Sequence, residues 1–149
     1  MFKILQKLSI ALFVATAAAA HADAGLGIVL GQPTGISGRM DTSATTAFDA
    51  ALAWRMGNSK YVIVHADHLW IKPKLVGPSS INADLYYGVG AILSLPESDV
   101  GGALRLPVGV SRKFKDPDLE LFAELAIAFL VIPDTDFDVV GGVGLRWWF

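Results

Sequence analysis

Polar and apolar side chains alternate with a period of two along much of this chain, most clearly in Leu119–Val131. There Leu119, Leu121, Ala123, Leu125, Ile127, Phe129 and Val131 share one parity, while Glu120 and Glu124 fall on the other. This is the spacing of a β-strand whose two faces meet different surroundings. In Phe137–Phe149 the residues Phe137, Val139, Val143, Leu145, Trp147 and Phe149 likewise oppose Asp138, Gly142, Gly144 and Arg146. Segment 46–56 repeats the pattern, with Phe48, Ala50, Leu52 and Trp54 against Asp49, Ala51, Ala53 and Arg55. Shorter versions in 26–30, 35–40, 61–71, 84–95 and 102–114 bring the expectation to eight strands. Turn-forming stretches separate them: Gln32-Pro33-Thr34, Asp41-Thr42-Ser43, Gly57-Asn58-Ser59, Pro73 to Ser80, Pro96-Glu97-Ser98-Asp99, Asp116-Pro117-Asp118 and Pro133-Asp134-Thr135. Short connectors between successive strands predict an all-β, antiparallel, up-and-down meander.

The charges say which face is wet. All but one of those in the eight segments lie opposite the Leu, Val, Phe and Trp stripe: Arg39, Asp49, Arg55, Asp67, Asp84, Arg105, Lys113, Glu120, Glu124, Asp136, Asp138 and Arg146, with Arg112 the exception beside a turn. A soluble sandwich or lipocalin-like barrel would turn such a polar face outward. Size argues the other way, because the polar face is also rich in Gly88, Gly90, Gly109, Gly142, Gly144, Ala51 and Ala53, whereas the apolar face holds the bulky groups. Small residues suit a crowded interior and bulky apolar ones suit lipid, which predicts an eight-stranded antiparallel up-and-down transmembrane β-barrel. With both chain ends on the periplasmic side, Trp70, Tyr87, Phe114, Trp147 and Phe149 fall toward the inner rim, and Trp54, Phe129 and Phe137 toward the outer one. Two aromatic girdles, in which Trp54, Trp70 and Trp147 are the largest members, are expected of a bilayer barrel.

Composition fits this picture. At 53% hydrophobic and 17% charged residues the chain is too apolar for a disordered segment. A net charge of −2 carries no nucleic-acid signature, and the lack of cysteine excludes disulfide frameworks, thiolate metal sites and thiol catalysis. At the N-terminus Lys3 and Lys7 precede the apolar run Leu8–Ala20, and Ala20-His21-Ala22 and Ala22-Asp23-Ala24 both fit the small-x-small cleavage pattern. The run is shorter than the ~18–20 residues needed to span a bilayer. Residues 1–24 are therefore expected to be a secretory signal peptide, and 25–149 the barrel, located in the outer membrane.

On the signal peptide, the alternating strands and the terminal Arg146-Trp147-Trp148-Phe149, the chain resembles small eight-stranded outer-membrane barrels of the OmpA and OmpX type. The resemblance covers residues 25–149 and is architectural. It implies that the last strand and its terminal aromatic, Phe149, are recognised by the barrel assembly machinery. It departs from OmpA in that no peptidoglycan-binding domain follows Phe149, and from long-looped relatives in that the outward connectors are short, which puts a surface adhesin in doubt.

An eight-stranded barrel is just wide enough to be filled by its own side chains, and charges there must be paired. Arg39, Asp49, Arg55, His65, Asp67, Arg105, Glu120, Glu124, Asp138 and Arg146 are accordingly expected to form a mutually neutralising interior network, with Arg105 meeting Glu120 or Glu124 on the next strand. Catalytic patterns are thin. In His65-Ala66-Asp67-His68, His65 and Asp67 point inward and His68 outward, so a regular strand cannot bring all three to one metal. As acid–base partners, His65 and Asp67 would need a serine such as Ser37 or Ser111. Gly25-Leu26-Gly27 and Gly88-Val89-Gly90 lack a following helix and read as close-packed strand glycines rather than phosphate cradles. The connector Lys72–Asn82 is the longest, and its side of the membrane stays open. The chain is thus expected to be a monomeric, non-enzymatic outer-membrane barrel without cofactor or metal, contacting lipid and the assembly machinery but no nucleic acid. A lipid-modifying barrel enzyme and a soluble periplasmic calycin that binds an apolar ligand are the alternatives.

Overall fold

A computed structural model describes residues 23–32, 34–55, 61–96, 101–132 and 135–149. The expected signal peptide up to Ala22, and the expected turns at Pro33, 57–59, 97–99 and 133–134, lie outside the described residues. Eight strands follow one another: β1 (Asp23–Gln32), β2 (Gly35–Asp41), β3 (Thr46–Arg55), β4 (Tyr61–Val76), β5 (Ala83–Pro96), β6 (Gly101–Phe114), β7 (Leu119–Ile132) and β8 (Asp136–Trp148). Each pairs antiparallel with its sequence neighbour, and β8 pairs with β1, closing the barrel. Closure leaves no edge, so ladder donors and acceptors are satisfied within the sheet. One rim carries Asp23, Phe149 and the turns 42–45, 77–82 and 115–118; it is called the terminal rim below.

Two boundaries differ from expectation. The chain enters the sheet at Asp23, where Asp23 pairs with Asp41 and Ala24 with Met40, and the Phe149 N–H donates to the Ala24 carbonyl at 2.9 Å. The long connector is also partly strand. β4 continues past Ile71 to Val76 through an irregularity between Lys72 and Val76, leaving only Gly77–Asn82 as the link to β5. Pro73 lacks a ladder donor and sits in that irregularity, as strand prolines do. Lys74 adopts φ 55° there, and its N–H donates to Asp84 Oδ1 at 2.8 Å.

Side-chain parity follows the sequence pattern. The outward set includes Leu26, Ile28, Phe48, Trp54, Val64, Trp70, Val89, Leu104, Leu125, Phe137 and Trp147, all exposed. The inward set buries Arg39, Asp49, Asp67, Arg105, Glu120 and Arg146, beside a small apolar cluster of Ala47, Leu69, Ile71 and Tyr86.

Glycines make the interior possible. Tyr86 pairs with Gly109 across β5–β6, and Phe122 pairs with Gly144 across β7–β8. A Cβ at Gly109 would collide with the Tyr86 ring, and one at Gly144 with the Phe122 ring. The large inward side chains therefore lean over the neighbouring strand into space that only glycine leaves. Gly144→Ala and Gly109→Ala are each expected to lower stability by about 1–3 kcal/mol, the usual penalty of overpacking. Urea unfolding measures this, and Phe122→Leu added to Gly144→Ala should recover only part of the loss, because the new Cβ also meets the Ile28 carbonyl; an unchanged midpoint in the single variants would refute the packing.

Candidate functional site in the barrel interior

Period-two geometry sends Arg39, Asp49, Asp67, Arg105, Glu120 and Arg146 inward, and the register decides which of them meet. Glu120 lies directly across from Arg146 in the β7–β8 ladder, and its Oε1 accepts from Arg146 Nη1 at 2.5 Å. Its Oε2 faces Arg39 Nη1 at 3.4 Å, so one fully buried carboxylate holds two guanidinium groups. Arg146 also donates through Nε to Ser37 Oγ at 3.0 Å, approaches Asp49 Oδ2 at 3.7 Å, and lies 3.9 Å from the centroid of the Phe122 ring. Arg39 reaches back to Asp41 at 3.0 Å, and Asp41 in turn pairs with Lys113. Lys113 sits over the Trp148 ring at 3.5 Å, closing the lumen toward the terminal rim.

A second group forms deeper in the barrel. Arg105 pairs with Asp67 through Nη1 and with Glu124 through Nη2. Glu124 also accepts from the Tyr86 hydroxyl at 2.9 Å. Of the two expected partners for Arg105, Glu124 is therefore the one used, because Glu120 is taken by Arg146 and Arg39. His65 Nδ1 lies 3.2 Å from Asp67 Oδ2, at an angle that makes no hydrogen bond. A cavity of about 20 Å³ is bordered by Asp49, His65, Arg105, Glu124 and Arg146. Toward the opposite rim the wall is built of buried Ala51, Ala53, Ala126 and Ala128.

Of the residues singled out for an interior network, Arg39, Asp49, Asp67, Arg105, Glu120, Glu124 and Arg146 are brought together by ion pairs, and His65 lies beside Asp67 without a hydrogen bond. Asp138 does not join the network. It is exposed near the opposite rim, where its Oδ1 accepts from the Val139 N–H, and Asp136 is placed similarly. Inward parity at a strand end leads to solvent, so such a carboxylate needs no ionic partner. Arg55 pairs with Tyr61 through the backbone, and its side chain lies outside the described residues. Ser37, Asp41 and Tyr86 belong to the network but were not expected there. Tyr86 shares the parity of Asp84 and Gly88, which marks it as inward, but nothing in its own type announces an ionic partner.

Of the two serines considered beside His65 and Asp67, Ser37 accepts from Arg146 Nε and Ser111 is buried on β6; among the described residues no group hydrogen-bonds His65 Nδ1. His68 lies outside, edge-on to Phe48 at 4.9 Å and to Trp70 at 4.7 Å, and Trp70 stacks on Tyr87 at 5.9 Å. Trp147 and Phe149 are exposed near the same rim, whereas Trp54 and the paired Phe129 and Phe137 lie near the other. A mostly apolar depression of about 570 Å³ is lined by outward Ile28, Leu30, Leu121, Val143 and Leu145 together with buried Ser111 and Phe122.

Removing Glu120 would strand Arg39 and Arg146 without a shared acceptor in a dry interior. Glu120→Ala should cost about 3–5 kcal/mol, as broken buried pairs do. Replacing the group as a whole, by Glu120→Leu with Arg39→Met and Arg146→Met, should cost much less; equal losses in a urea titration would show that pairing is not what holds this layer.

Comparison with family models, with curated proteins and with solved structures found no match to this chain.

Proposed function

We propose that this chain is a non-enzymatic integral outer-membrane barrel whose plugged, salt-bridged interior makes it a structural element of the cell envelope rather than a pore. One observation carries the reading: on each of the eight strands most outward side chains are apolar, with His68 and Arg112 among the exceptions, while the paired charges are inside. A monomeric soluble protein rarely exposes a contiguous apolar patch above a few hundred Å², yet here the exposed face runs around the barrel. Lipid satisfies such a face, and a closed barrel is one of only two architectures that satisfy the backbone within lipid. A 14-residue strand such as β7, at about 3.3 Å per residue and a tilt of about 40°, projects to roughly 35 Å, enough to cross the ~25 Å apolar band of such barrels. Aromatic side chains near both rims suit the two interfaces. A calycin that binds an apolar ligand needs the opposite arrangement of faces.

The interior argues against conduction. Trp148, Lys113, Arg39, Tyr86 and Glu120 fill the lumen toward the terminal rim, which in this orientation faces the periplasm. Phe149 acts in assembly: its N–H closes onto the Ala24 carbonyl, joining the end of β8 to the start of β1.

Envelope fractionation with gel mobility of boiled and unboiled samples tests the placement. The protein is expected in the outer-membrane fraction with a mobility that changes on heating; a chain soluble without detergent after export would overturn it. Deleting Phe149 should reduce the heat-modifiable form at least several-fold, and normal insertion would remove the assembly role. Lipid A mass spectra from cells with and without the protein should be identical, and a difference would favour the lipid-modifying enzyme.

A further inference from the structure

The side chains that the ion pairs leave incompletely satisfied are gathered at one place. Asp49 on β3 and Asp67 on β4 are directly opposite in the ladder, and His65 precedes Asp67 by two residues on the same inward face. Like charges directly opposed across strands repel, more strongly where water is excluded. Each carboxylate has one oxygen turned to an arginine, Asp67 Oδ2 to Arg105 and Asp49 Oδ2 to Arg146. Each keeps its other oxygen buried and unpartnered, as is His65 Nδ1. All three residues are more than nine-tenths buried, at 5%, 8% and 2% exposure for Asp49, His65 and Asp67. One donor atom from each lies within 4.8 Å of those of the other two. Asp49 and His65 also border the cavity of about 20 Å³, enough for one water-sized occupant.

We propose that Asp49, His65 and Asp67 form a binding site for one divalent transition-metal cation of the Zn²⁺ class inside the barrel. One imidazole and two carboxylates are ligands that such ions accept, and the imidazole disfavours Mg²⁺ and Ca²⁺. A tetrahedral ion with bonds of about 2.1 Å needs ligand atoms roughly 3.4 Å apart, so small side-chain rotations close the trio around it. The arginines act as outer partners that orient the carboxylates. The local charge agrees in sign. Asp49, Asp67, Glu120 and Glu124 supply four carboxyl groups against the three guanidinium groups of Arg39, Arg105 and Arg146, so with all carboxyls ionised the group has one negative charge in excess. The site depends on the barrel interior alone and stands whether or not the exterior meets lipid.

The test uses the untagged folded chain in detergent, titrated calorimetrically with Zn²⁺ and separately with Mg²⁺ and Ca²⁺. One Zn²⁺ per chain is expected, with at least a hundredfold weaker response to Mg²⁺ and Ca²⁺. Asp49→Asn and His65→Gln, checked for folding by heat-modifiable mobility or by circular dichroism, should each weaken Zn²⁺ binding at least tenfold. No Zn²⁺ binding by the folded wild-type chain would overturn the site and leave a shared proton between Asp49 and Asp67 as the means of relieving their repulsion. Unchanged affinity in both variants would overturn it too, by placing the ion elsewhere. Should either variant fail to fold, X-ray absorption of the Zn²⁺-loaded wild type decides. One imidazole nitrogen with carboxylate oxygens supports the site, and an all-oxygen or multi-imidazole shell overturns it.

Discussion

Closing eight strands into a ring leaves a lumen that only side chains can fill, and the inward charges of this protein have to be satisfied within that space. Four carboxylates and three guanidinium groups meet in its middle because no strand contributes more than two of them and the register brings them to compatible heights. Glu120 joins Arg39 and Arg146, Arg105 joins Asp67 and Glu124, and Tyr86 attaches the apolar cluster to Glu124. Neutral alternatives of similar volume would pack as stably, so the network is better understood as fixing one register among those that a smooth apolar lumen would permit.

That interior determines the rest of the surface. With the charges used inside, the outward parity is left to Leu, Ile, Val, Phe and Trp, and the ordinary relation between core and surface is inverted. The small residues follow from the same geometry. Gly109 and Gly144 are not spacers but the spaces into which Tyr86 and Phe122 lean, while Ala51, Ala53, Ala126 and Ala128 line the lumen toward the opposite rim. The molecule thus has a filled half toward the terminal rim and a half walled by small side chains toward the other. Asp49, His65 and Asp67 lie where the two halves meet.

Alternation made the strands legible, since Leu119–Val131 and Phe137–Phe149 show their faces without any knowledge of neighbours. It failed where depth or irregular geometry mattered. Asp138 has the same parity as Arg146, yet one is at a wet rim and the other fully enclosed, and parity alone carries no height. Pro73 looked like the end of a strand because it lacks a donor, but β4 absorbs it in an irregularity and continues to Val76. Tyr86 and Ser37 were overlooked as members of the ionic network because an uncharged residue does not reveal its partners until the register is known.

Period, turn chemistry and the scarcity of charge determined by themselves that there are eight antiparallel strands, which face of each is polar, and that His65 and Asp67 share an interior face with Asp49. Only the tertiary structure decided that Glu120 takes two arginines, that Arg105 chooses Glu124, and that Asp49 stands directly opposite Asp67. The physical reason is that side-chain direction along a strand is a local consequence of backbone geometry, repeating every two residues whatever lies beside it. Which inward groups meet depends on the stagger between strands and on ring closure, and these are properties of all eight strands together.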